Sequence, residues 1–151
     1  MIALVQRVTG ANVKVGADPV GVIGRGIVAL IGVERGDGEV EALLLAERVV
    51  SYRIFPDGEG KMNLSLKDVR GQLLAVPQFT LAADTHSGTR PSFSSAASPE
   101  SAEHLFQRFV DKAEEWLPRV ATGRFGAHMQ VSLVNDGPVT FWLQVSPKQK
   151  S

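Results

Sequence analysis

MQVSLVNDGPVTFWLQV, residues Met129–Val145, is the stretch on which the reading of the fold turns. Met129 to Val134 and Val139 to Val145 are strand-like, alternating and rich in β-branched and aromatic residues. Between them lies Asn135-Asp136-Gly137-Pro138-Val139-Thr140. Asp and Gly suit a tight reversal, so the local chemistry predicts a β-hairpin. Pro138 complicates this reading, because proline has no N–H for a ladder and fixes its own φ. Gly137-Pro138 therefore presents a stiff ridge of backbone carbonyls with almost no side chain in front of it. Such a ridge can pack a turn or read a ligand at close range.

Working upstream, Val120 to Phe125 reads as a turn or short strand. Before it, Ala102, Leu105, Phe106, Phe109, Val110, Ala113, Trp116 and Leu117 recur at helical spacing. Ser98 is the N-cap of this helix, Pro99 its first residue, and Pro118 stops it. Ala82 to Ala97 is a polar loop, long for a compact domain and so inclined to function. Gln72 to Leu81 reads as a strand interrupted by Pro77, and Ile54-Phe55 and Lys61 to Leu66 as short extended pieces. Val40, Leu43, Leu44 and Glu47 place a helix from Glu39 to about Tyr52.

Ile27 to Val33, nearly all apolar, predicts a central strand covered on both faces. Val20 to Ile23, Asn12 to Val15 and the opening run of Ile2, Leu4 and Val8 add three more strands. Their short connections, including a turn at Gly24-Arg25-Gly26, favour antiparallel pairing. The expectation is an α+β protein with one domain, 1–147, and a polar tail, 148–151.

Composition removes several kinds of chemistry. The 151 residues include no cysteine, which excludes disulfides, Cys-ligated zinc, iron–sulfur centres and thiol nucleophiles. Sixteen basic residues balance sixteen acidic ones, unlike the strongly basic footprint of a protein that grips long duplexes. Contact with the end of an RNA needs only a few cations; Lys61, Lys67, Arg70, Arg90 and Lys112 are the candidates, scattered in sequence. No apolar run reaches membrane-spanning length, and MIALVQRV lacks the character of a secretory signal, so a cytoplasmic protein without a membrane partner is expected.

His86, His104 and His128 have no metal-ligand spacing, and no GxSxG elbow or GxxxxGK[ST] loop occurs. Neither a metal nor a cofactor is expected. A hydrolase on this chain must work by positioning and polarisation, or borrow a group from its substrate. Gln78-Phe79-Thr80 is the best locus, since Pro77 breaks the ladder beside Gln78 and frees backbone N–H groups there. By pattern alone Phe79 is core or pocket floor, and Thr80 a β-former or a pocket residue. Arg90, held by Pro91, can bind an anion or anchor the loop to a carboxylate.

These segments resemble the D-aminoacyl-tRNA deacylases over Met1 to about Val145. Pro77-Gln78-Phe79-Thr80-Leu81 is similar to that family's Ser-Gln-Phe-Thr-Leu motif, and residues 83–93 to the segment after it. Residues 135–140 are similar to the second family motif; residues 60–65 and 122–127 also fit. The resemblance implies a homodimeric hydrolase on a curled, barrel-like antiparallel sheet with helices packed outside. Its substrate is the ester joining a D-amino acid, or glycine on mischarged tRNA, to the terminal ribose of tRNA. It further implies that the Gly137-Pro138 peptide is cis and enters the other subunit's site as a chiral selector. Gln78, Phe79 and Thr80 would line the pocket, Arg7, Met129 and Thr140 would support it, and the substrate's 2′-hydroxyl would assist. Two positions depart from the family: Pro77 replaces the usual serine and His128 a frequent aspartate. If that serine were an essential nucleophile, this chain would be inactive; activity is the expectation. A non-catalytic RNA-binding module and a small-molecule hydrolase or isomerase are the rival readings. Both leave the paired motifs unexplained.

Overall fold

The computed structural model describes residues 1–148; residues 149–151 of the predicted polar tail lie outside it. The elements are β1 (Ile2–Val15), β2 (Asp18–Ile23), β3 (Gly26–Gly32), α1 (Glu39–Ser51), β4 (Phe55–Pro56), β5 (Met62–Leu64), β6 (Gln72–Pro77), α2 (Pro99–Glu114), β7 (Val120–Thr122) and β8 (Gln130–Gln144). A 3-10 turn, Phe79–Ala82, follows β6.

β1 is one strand rather than the two expected. β2 and β3 together form its antiparallel partner, with Ala11 opposite Ile23 and Val8 opposite Gly26 in unbroken register. Gly24-Arg25-Gly26 is therefore a bend within a continuing arm, not a reversal. On its other edge β1 pairs with β8 along almost its whole length. The expected hairpin at residues 135–140 is absent for the same reason: both flanks pair with β1. Gln6 faces Thr140 whereas Gly10 faces Val134, so β8 carries two more residues than β1 over that interval. The surplus leaves the ladder as a bulge centred on Gly137 and Pro138.

The sheet is mixed rather than wholly antiparallel. β6 runs parallel to β3, and β7 parallel to β6, because α1 and α2 each serve as a crossover. The order is β2-β1-β3-β6-β7 with β8 on β1. The arm bent at Gly24 curls back over β6 and β7, so that a Cβ on Gly21 would lie 2.9 Å from the Thr122 carbonyl oxygen. This curl makes the sheet barrel-like with the helices outside, in keeping with the expected fold class.

Two cores result. Val8, Ala11, Val13, Ile23, Val28 and Leu74 fill the inside of the curl. The other face packs Val5, Ile27, Ala29 and Leu73 against Leu45, Val49, Phe109 and Val110 of the two helices. α2 begins at its predicted cap, where Ser98 Oγ accepts from Ser101 N–H at 3.3 Å; α1 opens with Glu41 accepting from Gly38 N–H at 2.7 Å, a cap not read from the sequence. The start of β3 tolerates no side chain. A Cβ on Gly26 would sit 1.8 Å from the Gln72 carbonyl oxygen. Gly26→Ala is expected to cost about 3 kcal/mol or more, because backbone on both sides must move. A denaturant melt with an unchanged midpoint would contradict this packing.

Candidate active site

Pro77 ends β6, paired with Ile31 of β3. Having no N–H, it cannot extend the ladder, and the chain turns at Gln78 into the 3-10 turn. The expected strand to Leu81 thus stops four residues early. Gln78 N–H was expected to be free, but it donates to the Ile31 carbonyl at 2.8 Å. The unclaimed donors are the next two: among the described residues, Phe79 and Thr80 N–H have no protein acceptor. They are the first groups of a helical turn, where no preceding carbonyl is in place to receive them. Leu81 N–H then reaches the Gln78 carbonyl at 3.2 Å.

Phe79 is 62% exposed and so is not a core residue. Its ring packs against Phe93 with centroids 5.2 Å apart. Thr80 Oγ1 accepts a hydrogen bond from Gln78 Nε2, which engages its hydroxyl. Beside Phe79 opens an apolar cavity of about 330 Å³, whose walls include Pro77, Ala96, Phe125, Gly126 and Met129. Met129 enters because Gly123 makes room: a Cβ there would lie 2.8 Å from its sulfur. Arg124 N–H donates to the same sulfur at 3.3 Å. Phe125 and Gly126 entered the sequence reading only within the matching segment 122–127, with no place in the site; the glycines flanking Arg124-Phe125 were the available signal.

The Gly137-Pro138 peptide is cis, and Gly137 has φ +139°. A Cβ on Gly137 would lie 2.6 Å from Val139 Cγ2. The bulge is tied locally: Val139 N–H donates to Asn135 Oδ1 at 2.9 Å, and Asn135 Nδ2 to Thr140 Oγ1 at 2.9 Å. These side-chain bonds replace ladder bonds lost to the bulge. From β1, Arg7 Nε donates to the Asp136 carbonyl at 3.0 Å and its Nη1 to the Ile54 carbonyl at 2.8 Å. Pro138 stands exposed above this support.

One chain does not bring this ridge to Phe79. Arg7, under the ridge, pairs with Ile27 of β3, whereas Pro77 pairs with Ile31 of the same strand. Strand spacing and rise put the two groups roughly 15–20 Å apart. Met129 lies on the Pro77 side of that gap and Arg7 and Thr140 on the ridge side.

The long loop is pinned. Asp84 and Ser92 exchange backbone hydrogen bonds of 2.7 and 3.0 Å, and Asp84 Oδ1 accepts from His86 N–H at 2.9 Å. Arg90 is exposed and makes no ion pair among the described residues, so it does not anchor the loop to a carboxylate there. His104 is on the helix surface, 3.1 Å from Glu39, and His128 is exposed. No group of three His, Asp or Glu residues able to hold a metal occurs among the described residues. No described helix is long and apolar enough to cross a membrane.

Comparison with known proteins finds relatives that match most of the chain. The family described as D-Tyr-tRNA(Tyr) deacylase matches residues 4–144. A D-aminoacyl-tRNA deacylase of Thioalkalivibrio sulfidiphilus is 60% identical over 147 residues, 97% of this chain and 99% of that one. One from Escherichia coli O1:K1 / APEC is 58% identical over 145 residues, 96% of this chain and all of that one. Among solved structures, the c-Myc DNA Unwinding Element Binding Protein superposes with TM-score 0.92 at 37% identity, covering 97% of this chain and 100% of that chain. A probable eukaryotic D-amino acid tRNA deacylase shares the fold at TM-score 0.80 and 17% identity, covering 95% and 98%. By its matched length and its identity to these relatives, the chain belongs to the D-Tyr-tRNA(Tyr) deacylase family, a family of hydrolases.

Proposed function

We propose that this protein, acting in the cytoplasm as a homodimer, hydrolyses the ester between a D-amino acid and the 3′-terminal ribose of tRNA. The observation that carries the reading is the pair of unclaimed N–H groups of Phe79 and Thr80 beside an apolar cavity. Two such donors suit the oxyanion formed when an ester carbonyl is attacked. The cavity beside Phe79, with Phe125 and Met129 in its walls, accepts the terminal nucleoside.

Chirality is set by the Gly137-Pro138 ridge of a second copy, placed against the substrate α-carbon. The separation of ridge and pocket within one chain supports an arrangement in which each subunit completes the other's site. Main-chain atoms on one side of the α-carbon exclude an L side chain; glycine has none and is not rejected. Among the described residues no base is hydrogen-bonded to the Thr80 hydroxyl to activate it, so the substrate's 2′-hydroxyl assists.

The test is release of D-tyrosine or D-aspartate from charged tRNA, with the L-aminoacyl form as control. Equal cleavage of both enantiomers would remove the selector, and full activity from a pure monomer would remove the shared site. At position 77 the reading predicts that Pro77→Ser changes the rate by less than about tenfold, because the contribution there is backbone geometry. A hydroxyl acting as nucleophile would instead raise activity by the 10²–10⁴-fold typical of a direct catalytic group.

A further inference from the structure

A group of exposed cations lies at one end of the sheet. β3, β6 and β7 run parallel, so their first residues share that end. Each is entered through a segment carrying an arginine: Arg25, Arg70 and Arg119. Gln72 N–H donates to the Arg25 carbonyl at 3.0 Å, and Leu73 N–H to the Arg119 carbonyl at 3.4 Å. At strand spacings of about 4.8 Å the three arginines therefore occupy neighbouring rows.

Aromatic rings hold further charge in place. Lys67 Nζ and Lys112 Nζ lie 5.9 and 4.8 Å from the centre of the Trp116 ring, and the Arg25 guanidinium lies 5.3 Å from that of Phe55. Cation–π contact keeps these side chains from collapsing elsewhere. Two carboxylates lie nearby: Glu115 pairs with Lys112 at 3.0 Å, and Asp68, which accepts from Ser65 N–H at 2.8 Å, offsets part of the charge of Lys67. Arg25, Lys67, Arg70 and Arg119 are exposed and form no ion pair among the described residues.

We propose that this basic end is the docking surface for the phosphate backbone of the tRNA acceptor stem. The inference rests on the aminoacyl-tRNA reading above. It also follows the path of contacts from the ridge: Arg7 links Asp136 to Ile54, and Phe55, the next residue, lies under Arg25. Within its own chain the patch is at the opposite end of β6 from Phe79. When the ridge enters a second copy's pocket, the patch comes with it and flanks that pocket's mouth. The subunit that supplies the chiral wall thus also holds the stem.

The test measures binding of fluorescently labelled, uncharged tRNA across a salt series, for wild type and the triple variant Arg25→Glu, Arg70→Glu, Arg119→Glu. The control is Arg35→Glu, an exposed cation beyond the far end of β3. The triple variant is expected to bind at least about tenfold more weakly, with a log K against log [salt] slope shallower by about 3. Arg35→Glu is expected to leave the slope unchanged. Circular-dichroism melts identify any variant that has lost its fold, and single substitutions then replace the triple. Equal binding and slope in folded wild type and variants would overturn the proposal. So would a duplex DNA of equal length that binds as tightly and loses as much, since the surface would then be a general polyanion site. If wild type released no D-amino acid while the binding difference remained, the RNA surface would stand and the deacylase reading would fall.

Discussion

A D-aminoacyl-tRNA ending in 2′-deoxyadenosine is expected to react about 10²–10⁴-fold more slowly than its ribose counterpart, with binding little changed. That range is what a positioned proton-transfer group contributes to a transition state. The protein around Phe79 supplies no such group. Gln78 is a neutral amide, Thr80 Oγ1 accepts from it and has no acid or base bonded to it among the described residues, and the cavity walls at Pro77, Ala96, Phe125 and Met129 are apolar. What the chain does supply is two backbone donors and a fixed geometry, which stabilise an oxyanion without moving a proton. In the proposed mechanism that function comes from the substrate, whose 2′-hydroxyl is the group adjacent to the ester. Single-turnover hydrolysis of the two substrates measures the difference directly. Thr80→Ala serves as the companion variant, expected to lose less than about tenfold. The opposite pattern, an unaffected deoxy substrate and a dead Thr80→Ala, would make Thr80 the nucleophile and overturn substrate assistance.

Arg7→Ala is expected to lower kcat/KM for the D-substrate by about 100-fold and to narrow discrimination against the L-form. Arg7 is largely buried under the ridge, with two charge-assisted bonds to carbonyls on different segments, Asp136 of β8 and Ile54 before β4. Its Nη2 also lies 3.4 Å from where a Cβ on Gly137 would stand, so it is part of the surface on which the ridge rests. Each such bond contributes about 1.5–3 kcal/mol, and losing both leaves the carbonyl of buried Ile54 unpaired. Arg7→Lys keeps the charge but cannot span both acceptors as a planar fork, so it should recover only part of the loss. The D-to-L ratio is the informative readout. A merely structural role would lower both rates together and leave the ratio alone.

Much of this protein was legible along its chain. The absence of cysteine, the two helices and the Ser98 cap of the second, and the apolar run of β3 follow from residue type and periodicity, which act over a few residues. The Pro77–Leu81 and 135–140 motifs were legible as a family resemblance. Their geometry was not. Asn, Asp, Gly and Pro signal a reversal and a bulge with the same letters. Which one forms at Gly137 depends on whether both flanks find the same partner, and they do, in β1. β1 itself looked like two strands because Thr9-Gly10 resembles a break, yet opposite it the arm of β2 and β3 runs on. Tertiary structure likewise decided that Gln78 N–H is taken by Ile31, leaving Phe79 and Thr80 bare. It also set the distance between ridge and pocket, and gathered cations scattered in sequence from Arg25 to Arg119 at one sheet end. Sequence determines what each segment can be, because propensity and periodicity are local; which strand it meets is settled by non-local pairing and shared burial.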